Sequence, residues 1–476
     1  MDVLGRTMCA FPWTAVVRRS CLLLLLVCDV IRAQDLKPTR WPLFSQKPVL
    51  LAWNAPTEDC GPRHGVNFKL SQFEIVASPN EGFVKQNLTI FYKDRLGLYP
   101  YYERDVAFNG GIPQSASLTA HLERMPDGVS KYIRELGARG LAVIDWEEWR
   151  PLWVRNWDTK DIYREQSRLL VAKKNPDWST DVVNRVAQQE FEISAKKFML
   201  ETLRYAKSLR PNQLWGFYLF PDCYNHNYKS SLENYTGRCP DVEMVRNDQL
   251  TWLWTESTAL FPSIYLAPKL NSTSMGRQFV RNRVLEGMRL ASTGEGVTRP
   301  VFVYTRPTYA NQLTLLTETD LVFTIGESVA LGAAGVILWG DAAYASSSAN
   351  CRSLNDYLLG PLGRYLLNVS TAAEQCSRAL CSSRGRCLRR RANDNAYLHL
   401  SPHSQPIVSE GGKLMVSGQP SAEETEQLNA NFRCQCYSGY QGEGCAQPGP
   451  GLPGASPSLR LYLPGLLPLL LHILLH

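Results

Sequence analysis

Short apolar runs alternate with longer amphipathic stretches along most of this 476-residue chain. The apolar runs predict buried strands at 48–53, 73–77, 88–92, 141–147, 214–220, 260–266, 301–305 and 335–339. The amphipathic stretches predict helices at 117–136 (interrupted near Pro126), 159–174, 180–209, 241–258, 276–290, 317–330 and 351–367. Strands that alternate with helices form a parallel sheet, and this number of strands favours a single closed (β/α) barrel over residues 34–370.

One predicted strand, 141–147, continues into a cluster of acids and tryptophans. Alternate residues of a strand share a face, so Val143, Asp145 and Glu147 point one way. Acids two residues apart have Cα atoms ~6–7 Å apart, and longer side chains close that gap. They cannot both ionise freely, so one pKa is expected to be raised, which suits general-acid catalysis on a sugar oxygen. The alternative is a strand end with solvated acids.

Other predicted strands end in residues that suit a binding site. These strand-end residues are Trp53 and Asn54, Tyr218, Tyr265, Tyr304, and Trp339 with Asp341. Barrels gather an active site from the ends of different strands, so these side chains are expected to meet Asp145 and Glu147.

Composition and charge are those of an ordinary globular protein. The chain is 44% hydrophobic and 20% charged, with a net charge of +7. This mild basic excess suits a polyanionic ligand without requiring one. No basic block indicates a nucleic acid partner.

The N-terminus and the cysteines indicate the secretory route. Residues 1–33 combine Arg18-Arg19 with a short apolar run and a small residue at Ala33, as in a signal peptide. Ten cysteines follow it, an even number that allows five disulfides. No metal site and no cofactor are expected, since the cysteines form no C-x-x-C pair. Glycosylation sequons begin at Asn87, Asn234, Asn271 and Asn368.

Residues 447–476 resemble a lipid-anchor signal. A stretch of Pro, Gly, Ala and Ser precedes a leucine-rich tail, which is typical of a GPI anchor. The candidate attachment residues are Gly451, Gly454 and Ala455. A single transmembrane anchor or an uncleaved apolar tail are the alternatives. The predicted location is the extracellular face of the plasma membrane, with endosomes or lysosomes as alternatives.

Residues 371–446 form a second, cysteine-rich region. Its six cysteines, ending in C-x-C and a Gly-Tyr pair at 439–440, are typical of a small EGF-like module. A long stretch separates Cys387 from Cys434, so we predict a surface loop inserted into the module. That loop departs from a compact EGF domain and leaves calcium binding without support.

Three features together resemble the vertebrate hyaluronidases, including their lipid-anchored members. They are D-W-E-E-W-R-P at 145–151, W-G-F-Y-L-F-P-D-C-Y-N at 215–225 and the cysteine pattern, supported by D-R-L-G-L-Y-P at 94–100 and L-W-G-D-A at 338–342. The resemblance runs from about residue 41 to Cys445. It implies a distorted (β/α) barrel, as in TIM-like folds, and endo-acting, retaining, substrate-assisted hydrolysis of β-1,4 bonds in hyaluronan.

The resemblance also implies roles for individual residues. Glu147 would be the acid/base, and Asp145 would hold it and polarise the substrate acetamido group. Tyr218 and Tyr265 would contact that group, and Trp339 would floor its pocket. Tyr92, Tyr304, Asp222 and Arg283 would lie along the groove. The implied disulfides are Cys60–Cys351, Cys223–Cys239, Cys376–Cys387, Cys381–Cys434 and Cys436–Cys445.

Alternatives stay open for several residues and for the function. Arg283 is equally explained by a structural salt bridge, Asp222 by a turn cap and Tyr92 by barrel packing. At the level of function, the alternatives are a surface receptor that binds hyaluronan or a protein partner with weak catalysis, and the same chemistry on chondroitin. If Glu147 acts protonated, activity is expected to favour acidic pH.

Overall fold

The computed structural model describes residues 36–44, 47–73, 75–77, 87–411 and 413–449. The predicted signal peptide and the candidate anchor-attachment residues lie outside the described residues. Nothing about either is therefore tested by the fold.

Apart from 260–266, the predicted strands are present close to the predicted positions, and the structure has further strands that the sequence pattern does not predict. The observed strands are β1 (Leu50–Asn54), β2 (Ile75–Ala77), β3 (Leu88–Phe91), β4 (Tyr101–Glu103), β5 (Val106–Phe108), β6 (Gly140–Ile144), β7 (Gln213–Phe217), β8 (Phe302–Thr305), β9 (Gly335–Trp339), β10 (Gly385–Arg389), β11 (Ile407–Glu410), β12 (Lys413–Val416), β13 (Phe432–Cys436), β14 (Tyr440–Gln441) and β15 (Gln447–Pro448).

The α-helices fill most of the intervals between the parallel strands. They are α1 (Cys60–His64), α2 (Leu118–Tyr132), α3 (Asp161–Lys174), α4 (Thr180–Leu209), α5 (Asp241–Gln249), α6 (Thr251–Glu256), α7 (Ser274–Ala291), α8 (Glu318–Leu321), α9 (Glu327–Ala330), α10 (Ser348–Tyr357), α11 (Gly363–Cys381) and α12 (Ala422–Asn431).

Two parallel sheets form the centre of the fold. One has the order β2-β1-β9-β8 and the other the order β3-β6-β7. Single bridges connect them through residues 260–263, where Phe261 pairs with Tyr218 and Ser263 pairs with Tyr304. The parallel array therefore runs from β2 to β3, and no pairing joins those two edge strands within the described ranges.

Alternate residues of every parallel strand except β2 meet in one apolar cluster. Its buried members are Leu50, Ala52, Leu88, Ile90, Leu141, Val143, Leu214, Ala259, Phe261, Phe302, Tyr304, Ala334 and Ile337. The other strand faces pack against helices in a second, larger cluster that includes Trp53, Ile144 and Trp215. The array thus has an inner face of its own. The next residue on that face, two positions farther along each strand, lies at the C-terminal end of the strand.

Three predicted elements differ from the structure for physical reasons. The strand predicted at 260–266 is reduced to isolated bridges, because Pro262 has no N–H to donate to a ladder. Helix α2 is not interrupted at Pro126, since buried Met125 and Val129 hold it against the core. Strand β6 ends at Ile144, so Asp145 and Glu147 follow the strand instead of continuing it.

Two long predicted helices are each divided in the structure. The stretch 241–258 forms α5 and α6, which meet at Leu250. The stretch 351–367 is divided between α10 and α11, with a non-helical backbone at Gly360 ahead of Pro361. Helix α4 has the predicted bounds, 180 to 209.

Five disulfides join the cysteines of the described chain. Their pairs are Cys60–Cys351, Cys223–Cys239, Cys376–Cys387, Cys381–Cys434 and Cys436–Cys445, the same pairs that the family resemblance implies. Among the sequon asparagines, Asn87, Asn234 and Asn271 are exposed and Asn368 is half-buried. Within the described ranges no helix is both long and apolar enough to cross a membrane.

Candidate active site

The two acids follow β6 at its C-terminal end, beside the ends of its neighbours β3 and β7. The Asp145 backbone N–H still donates to the Phe91 carbonyl at 2.9 Å, although the strand ends one residue earlier. Tyr218, just beyond β7, donates its N–H to the Ile144 carbonyl at 2.9 Å. The parallel register therefore places Asp145 and Tyr218 side by side, as the strand-end pattern predicts.

A cavity of about 580 Å³ opens next to these strand ends. Of the predicted site residues, Glu147, Tyr218, Asp222, Tyr265 and Arg283 line it. The other four predicted residues, which are Tyr92, Asp145, Tyr304 and Trp339, are not among the described residues that line this cavity. Of these, Tyr304 contacts Tyr218 and Trp339 contacts Tyr265, and both partners line the cavity.

Asp145 lies largely buried behind Glu147. Its Oδ1 is buried and has no hydrogen-bond partner in the described part of the chain. Burial, then the charges of Glu147 and Glu148, raise the pKa of Asp145 to about 8, against a smaller opposing effect of Arg150. Asp145 therefore holds a proton at neutral pH. The sequence predicts one raised pKa in this acid pair, and the raised group is Asp145.

Glu147 has a different environment from Asp145. Its side chain is 49% exposed, and its Oε2 lies 3.4 Å from Nη2 of Arg150. Arg150 Nη1 also donates to the Glu147 carbonyl at 3.0 Å, and the Lys160 ammonium donates to the same carbonyl. Two cations thus fix the backbone that carries Glu147 and leave its carboxyl directed into the cavity.

Aromatic side chains form a layer around the two acids. The Tyr265 ring stacks on Trp339 with centroids 5.7 Å apart and planes inclined by 16°. Tyr218 contacts Tyr265 at 6.4 Å and Tyr304 at 5.0 Å. Burial raises the pKa of both the Tyr218 and the Tyr265 hydroxyl. Both phenols therefore remain protonated donors at any physiological pH.

The remaining two tyrosines support this layer from beneath and from the side. Tyr304 is fully buried, and its hydroxyl lies 3.5 Å from Oδ1 of Asn54. Tyr92 is half-buried and lies under the Arg95 guanidinium at 4.6 Å. Their contacts in this structure are with protein side chains, and any contact of either ring with a ligand stays a prediction.

Arg283 and Asp222 form a rigid cationic corner of the cavity. Arg283 is buried, donates to Asn225 Oδ1 and to the Ser263 carbonyl, both at 2.9 Å, and lies 3.4 Å from Asp222 Oδ1. Asp222 also caps a turn by accepting from the Cys223 N–H at 2.7 Å. Burial alone raises the pKa of Asp222, but Arg283 and Arg155 outweigh it and lower the pKa. Arg283 thus forms a structural salt bridge and Asp222 caps a turn, and both residues also lie in the cavity wall.

The cavity lining carries more positive than negative charge. Its basic residues are Arg150, Arg155, Lys160, Lys229 and Arg283, and its acidic residues are Glu147, Asp158 and Asp222. The protonated Asp145 behind Glu147 adds no charge at neutral pH. The excess of cations favours an anionic ligand.

Four non-glycine residues of the lining have left-handed backbone conformations. They are Asp158, Leu219, Tyr224 and Asn311, with φ between 46° and 71°. Such strain is held in place by the surrounding structure and is concentrated at functional sites. The sequence gives no signal for these positions, nor for the contact of Lys160 with the backbone of Glu147.

Among the described residues, no group of His, Cys, Asp or Glu side chains is arranged to hold a metal ion. The chemistry that the cavity does provide comes from a protonated acid, an exposed acid and two neutral phenols. These groups fit acid–base chemistry on a neutral leaving group.

Comparison with known proteins identifies hyaluronidases as relatives of this chain. The sequence model of a family described as hyaluronidase matches residues 38–449. The chain is 54% identical over 428 residues to hyaluronidase-2 of Homo sapiens, covering 89% of this chain and 90% of that protein. It is 45% identical over 426 residues to hyaluronidase-1 of Bitis arietans, covering 88% of this chain and 94% of that protein.

Two solved structures also resemble this chain. The crystal structure of bee venom hyaluronidase has a TM-score of 0.60 and 31% identity, covering 67% of this chain and 99% of that chain. The same enzyme in complex with a hyaluronic acid tetramer has a TM-score of 0.60 and 30% identity, with 67% and 98% coverage.

Proposed function

Because the chain belongs to the hyaluronidase family, we propose that it is an endo-acting glycoside hydrolase that cleaves the β-1,4 N-acetylglucosaminidic bonds of hyaluronan. The observation that carries the proposal is the protonated Asp145 behind an exposed Glu147 in a cationic, aromatic cavity. A related enzyme of similar fold has been solved with a hyaluronic acid tetramer.

In the proposed mechanism the substrate supplies the nucleophile. The acetamido carbonyl oxygen attacks the anomeric carbon, and the bond to the leaving oxygen breaks as Glu147 donates a proton to it. The resulting cyclic oxazolinium carries a positive charge. Water, deprotonated by Glu147, then attacks the same carbon from the face that the leaving group occupied. The carbonyl regains its electrons, Glu147 regains its proton, and the anomeric configuration is retained.

The remaining predicted residues would hold the acetamido group for this attack. Asp145 and Tyr218 would hydrogen-bond it, and the stacked Tyr265 and Trp339 rings would form an apolar wall, which their ring contacts support. Oδ1 of Asp145, which has no hydrogen-bond partner among the described residues, would accept the N–H of the acetamido group and so stabilise the positive charge of the oxazolinium. Arg283 and the other lining cations would bind glucuronate carboxylates along the polymer.

The finer description of the fold belongs to the same proposal. We infer that the parallel array closes into a distorted barrel, since one apolar cluster includes residues of both β1 and β3, near its two edges. Residues 371–446 would be an EGF-like module with a long inserted loop. The antiparallel pair β10-β13 and the three disulfides between Cys376 and Cys445 support that assignment.

The location of the protein is likewise a proposal. The predicted signal peptide at 1–33 and the C-terminal anchor signal place the enzyme on the outer cell surface through a GPI lipid. Exposed sequons at Asn87, Asn234 and Asn271 are compatible with glycosylation on that route. Release of the protein from intact cells by a phosphatidylinositol-specific phospholipase tests the anchor, and retention after treatment contradicts it.

Size analysis of hyaluronan after incubation with the purified protein tests the activity. Endo cleavage shortens the whole length distribution at early times, and de-N-acetylated hyaluronan stays long because it lacks the attacking carbonyl. Chondroitin, tested in parallel, measures the preference for the sugar epimer. Hyaluronan that binds the protein and keeps its length contradicts the proposal and favours a receptor.

A further inference from the structure

Glu148 is the third acid of the 145–149 stretch, and the mechanism above does not use it. Its side chain is 22% exposed, and its Oε1 lies 3.6 Å from Nζ of Lys93. Its other oxygen, Oε2, is buried and has no hydrogen-bond partner within the described chain. An unpaired buried carboxylate oxygen is costly to stability, so its presence here calls for a functional explanation.

More polar atoms are buried and unpaired in the same place. Oδ1 of Asp145, Nε1 of Trp146 and the Tyr99 hydroxyl have no hydrogen-bond partner among the described residues. The Tyr99 ring stacks on Trp146 with centroids 4.4 Å apart. These groups form a weakly compensated layer behind the catalytic acids, and a charge placed in such a layer acts on its neighbours with little screening.

Charged and titratable groups surround Glu148 from several elements. They are Lys93 after β3, Tyr99, Tyr101 and Glu103 at β4, Tyr163 on α3, and Asp145, Glu147, Arg150 and Lys160 near β6. The cation that contacts the Glu148 carboxyl is Lys93, which also contacts Glu103 at 3.1 Å. The positive charge of Lys93 is therefore shared and neutralises the charge of Glu148 only in part.

The negative charge of Glu148 opposes ionisation of Asp145. Burial is the largest cause that raises the pKa of Asp145, and the charges of Glu147 and Glu148 add to it. The carboxylate of Glu148 therefore helps Asp145 to keep its proton to higher pH.

We propose that Glu148 is a positioning residue for the reaction, whose buried and only partly compensated charge keeps Asp145 protonated and thereby sets the upper pH limit of hydrolysis. The proposal rests on the hyaluronan hydrolase activity described above. It assigns Glu148 no contact with the substrate.

The test is the pH profile of hyaluronan hydrolysis for E148Q and K93M. Removing the Glu148 charge moves the alkaline limb of the profile to lower pH by about 0.5–1 unit and leaves the acid-side rate within about threefold of wild type. Removing Lys93 leaves Glu148 uncompensated, so K93M moves the same limb to higher pH. Structural damage does not produce shifts of opposite sign.

Two further variants serve as controls. E148D keeps the charge and is expected to keep the limb, whereas E103Q removes an exposed carboxylate that shares Lys93 and is expected to leave the limb in place. An unmoved limb in E148Q, or an equal shift in E103Q, overturns the inference while the hydrolase function stands. A wild type that leaves hyaluronan intact overturns both.

Discussion

Asp145 and Glu147 are two residues apart, and their different surroundings divide the work between them. Asp145 is buried with an unpaired oxygen and holds a proton, whereas Glu147 is half exposed and has a cation beside its carboxyl. We propose that these different environments give the two acids different roles, with Glu147 exchanging a proton with the substrate and with water while Asp145 keeps its own.

Tyr218→Phe tests the donor role of the phenol layer. Loss of the hydroxyl removes a hydrogen bond to the developing charge on the acetamido group, so kcat is expected to fall about 10²–10³-fold. KM is expected to change much less. Steady-state kinetics on hyaluronan measures the split between the two constants.

Tyr304→Phe is the matched control, since Tyr304 is fully buried and its hydroxyl faces Asn54 at 3.5 Å. Its loss is expected to lower kcat by less than about tenfold, as for one weak neutral hydrogen bond. Equal kcat losses in the two variants would contradict a donor role specific to the Tyr218 hydroxyl.

Sequence reasoning reaches these residues through strand parity. In the strands that lead to Asp145, Tyr218 and Trp339, alternate apolar residues mark the inner face. These three residues lie on the same face, at the C-terminal ends of their strands. Strand parity does not identify Arg150 and Lys160, because Arg150 reaches the Glu147 carbonyl from irregular backbone and Lys160 reaches it from a short 3-10 helix, both outside the strands. A contact with a main-chain oxygen leaves no pattern in side-chain chemistry.

At the scale of elements, each strand contributes one inward residue at its C-terminal end. Predicted strands differ from observed ones by at most three residues at their ends, because the end of a ladder depends on the neighbouring strand. The segment 260–263 is the exception, since Pro262 limits it to single bridges. It still delivers Ser263 and Tyr265 to the cavity.

Gly216→Ala tests how tightly β7 is packed against that segment. A Cβ at Gly216 lies 2.3 Å from the Ala259 carbonyl oxygen, so the strand or the segment must move. Overpacking of this kind is expected to cost about 1–3 kcal/mol of the free energy of unfolding. Thermal or denaturant unfolding measures the difference from wild type.

Gly137→Ala is the matched control, because a Cβ there meets no described atom within 4 Å. Its stability is expected to stay within about 0.5 kcal/mol of wild type. If G216A were equally neutral, the close approach of β7 to the 259–261 segment would be wrong.

At the scale of the whole molecule, a buried ionic cluster joins the cysteine-rich region to the parallel array. Glu327 on α9 accepts from Arg281 on α7 at 2.6 Å and from Arg389 on β10 at 2.5 Å. All three side chains are almost fully buried. The sequence shows Arg389 only as part of a basic run, and a long-range partner such as Glu327 cannot be found without the fold.

Glu327→Gln leaves two buried guanidinium groups without their anion. The free energy of unfolding is expected to fall by about 3–5 kcal/mol, because the uncompensated charges stay desolvated. Denaturant unfolding with the disulfides intact measures the loss. Asp127→Asn, which breaks an exposed pair with Arg124, is expected to cost less than about 1 kcal/mol. A comparably small loss in E327Q would show that the cluster does not stabilise the junction.

The most direct measurement is hyaluronan turnover by Glu147→Gln beside wild type. The variant keeps the shape of a side chain that is 49% exposed, so its fold and its hyaluronan binding are expected to persist. Without a proton to donate, kcat is expected to fall at least about 10³-fold. Glu201→Gln, a change of an exposed helical acid, serves as the control with wild-type turnover. A kcat for E147Q within tenfold of wild type would contradict the assignment of Glu147 as the acid and, with it, the mechanism proposed for this site.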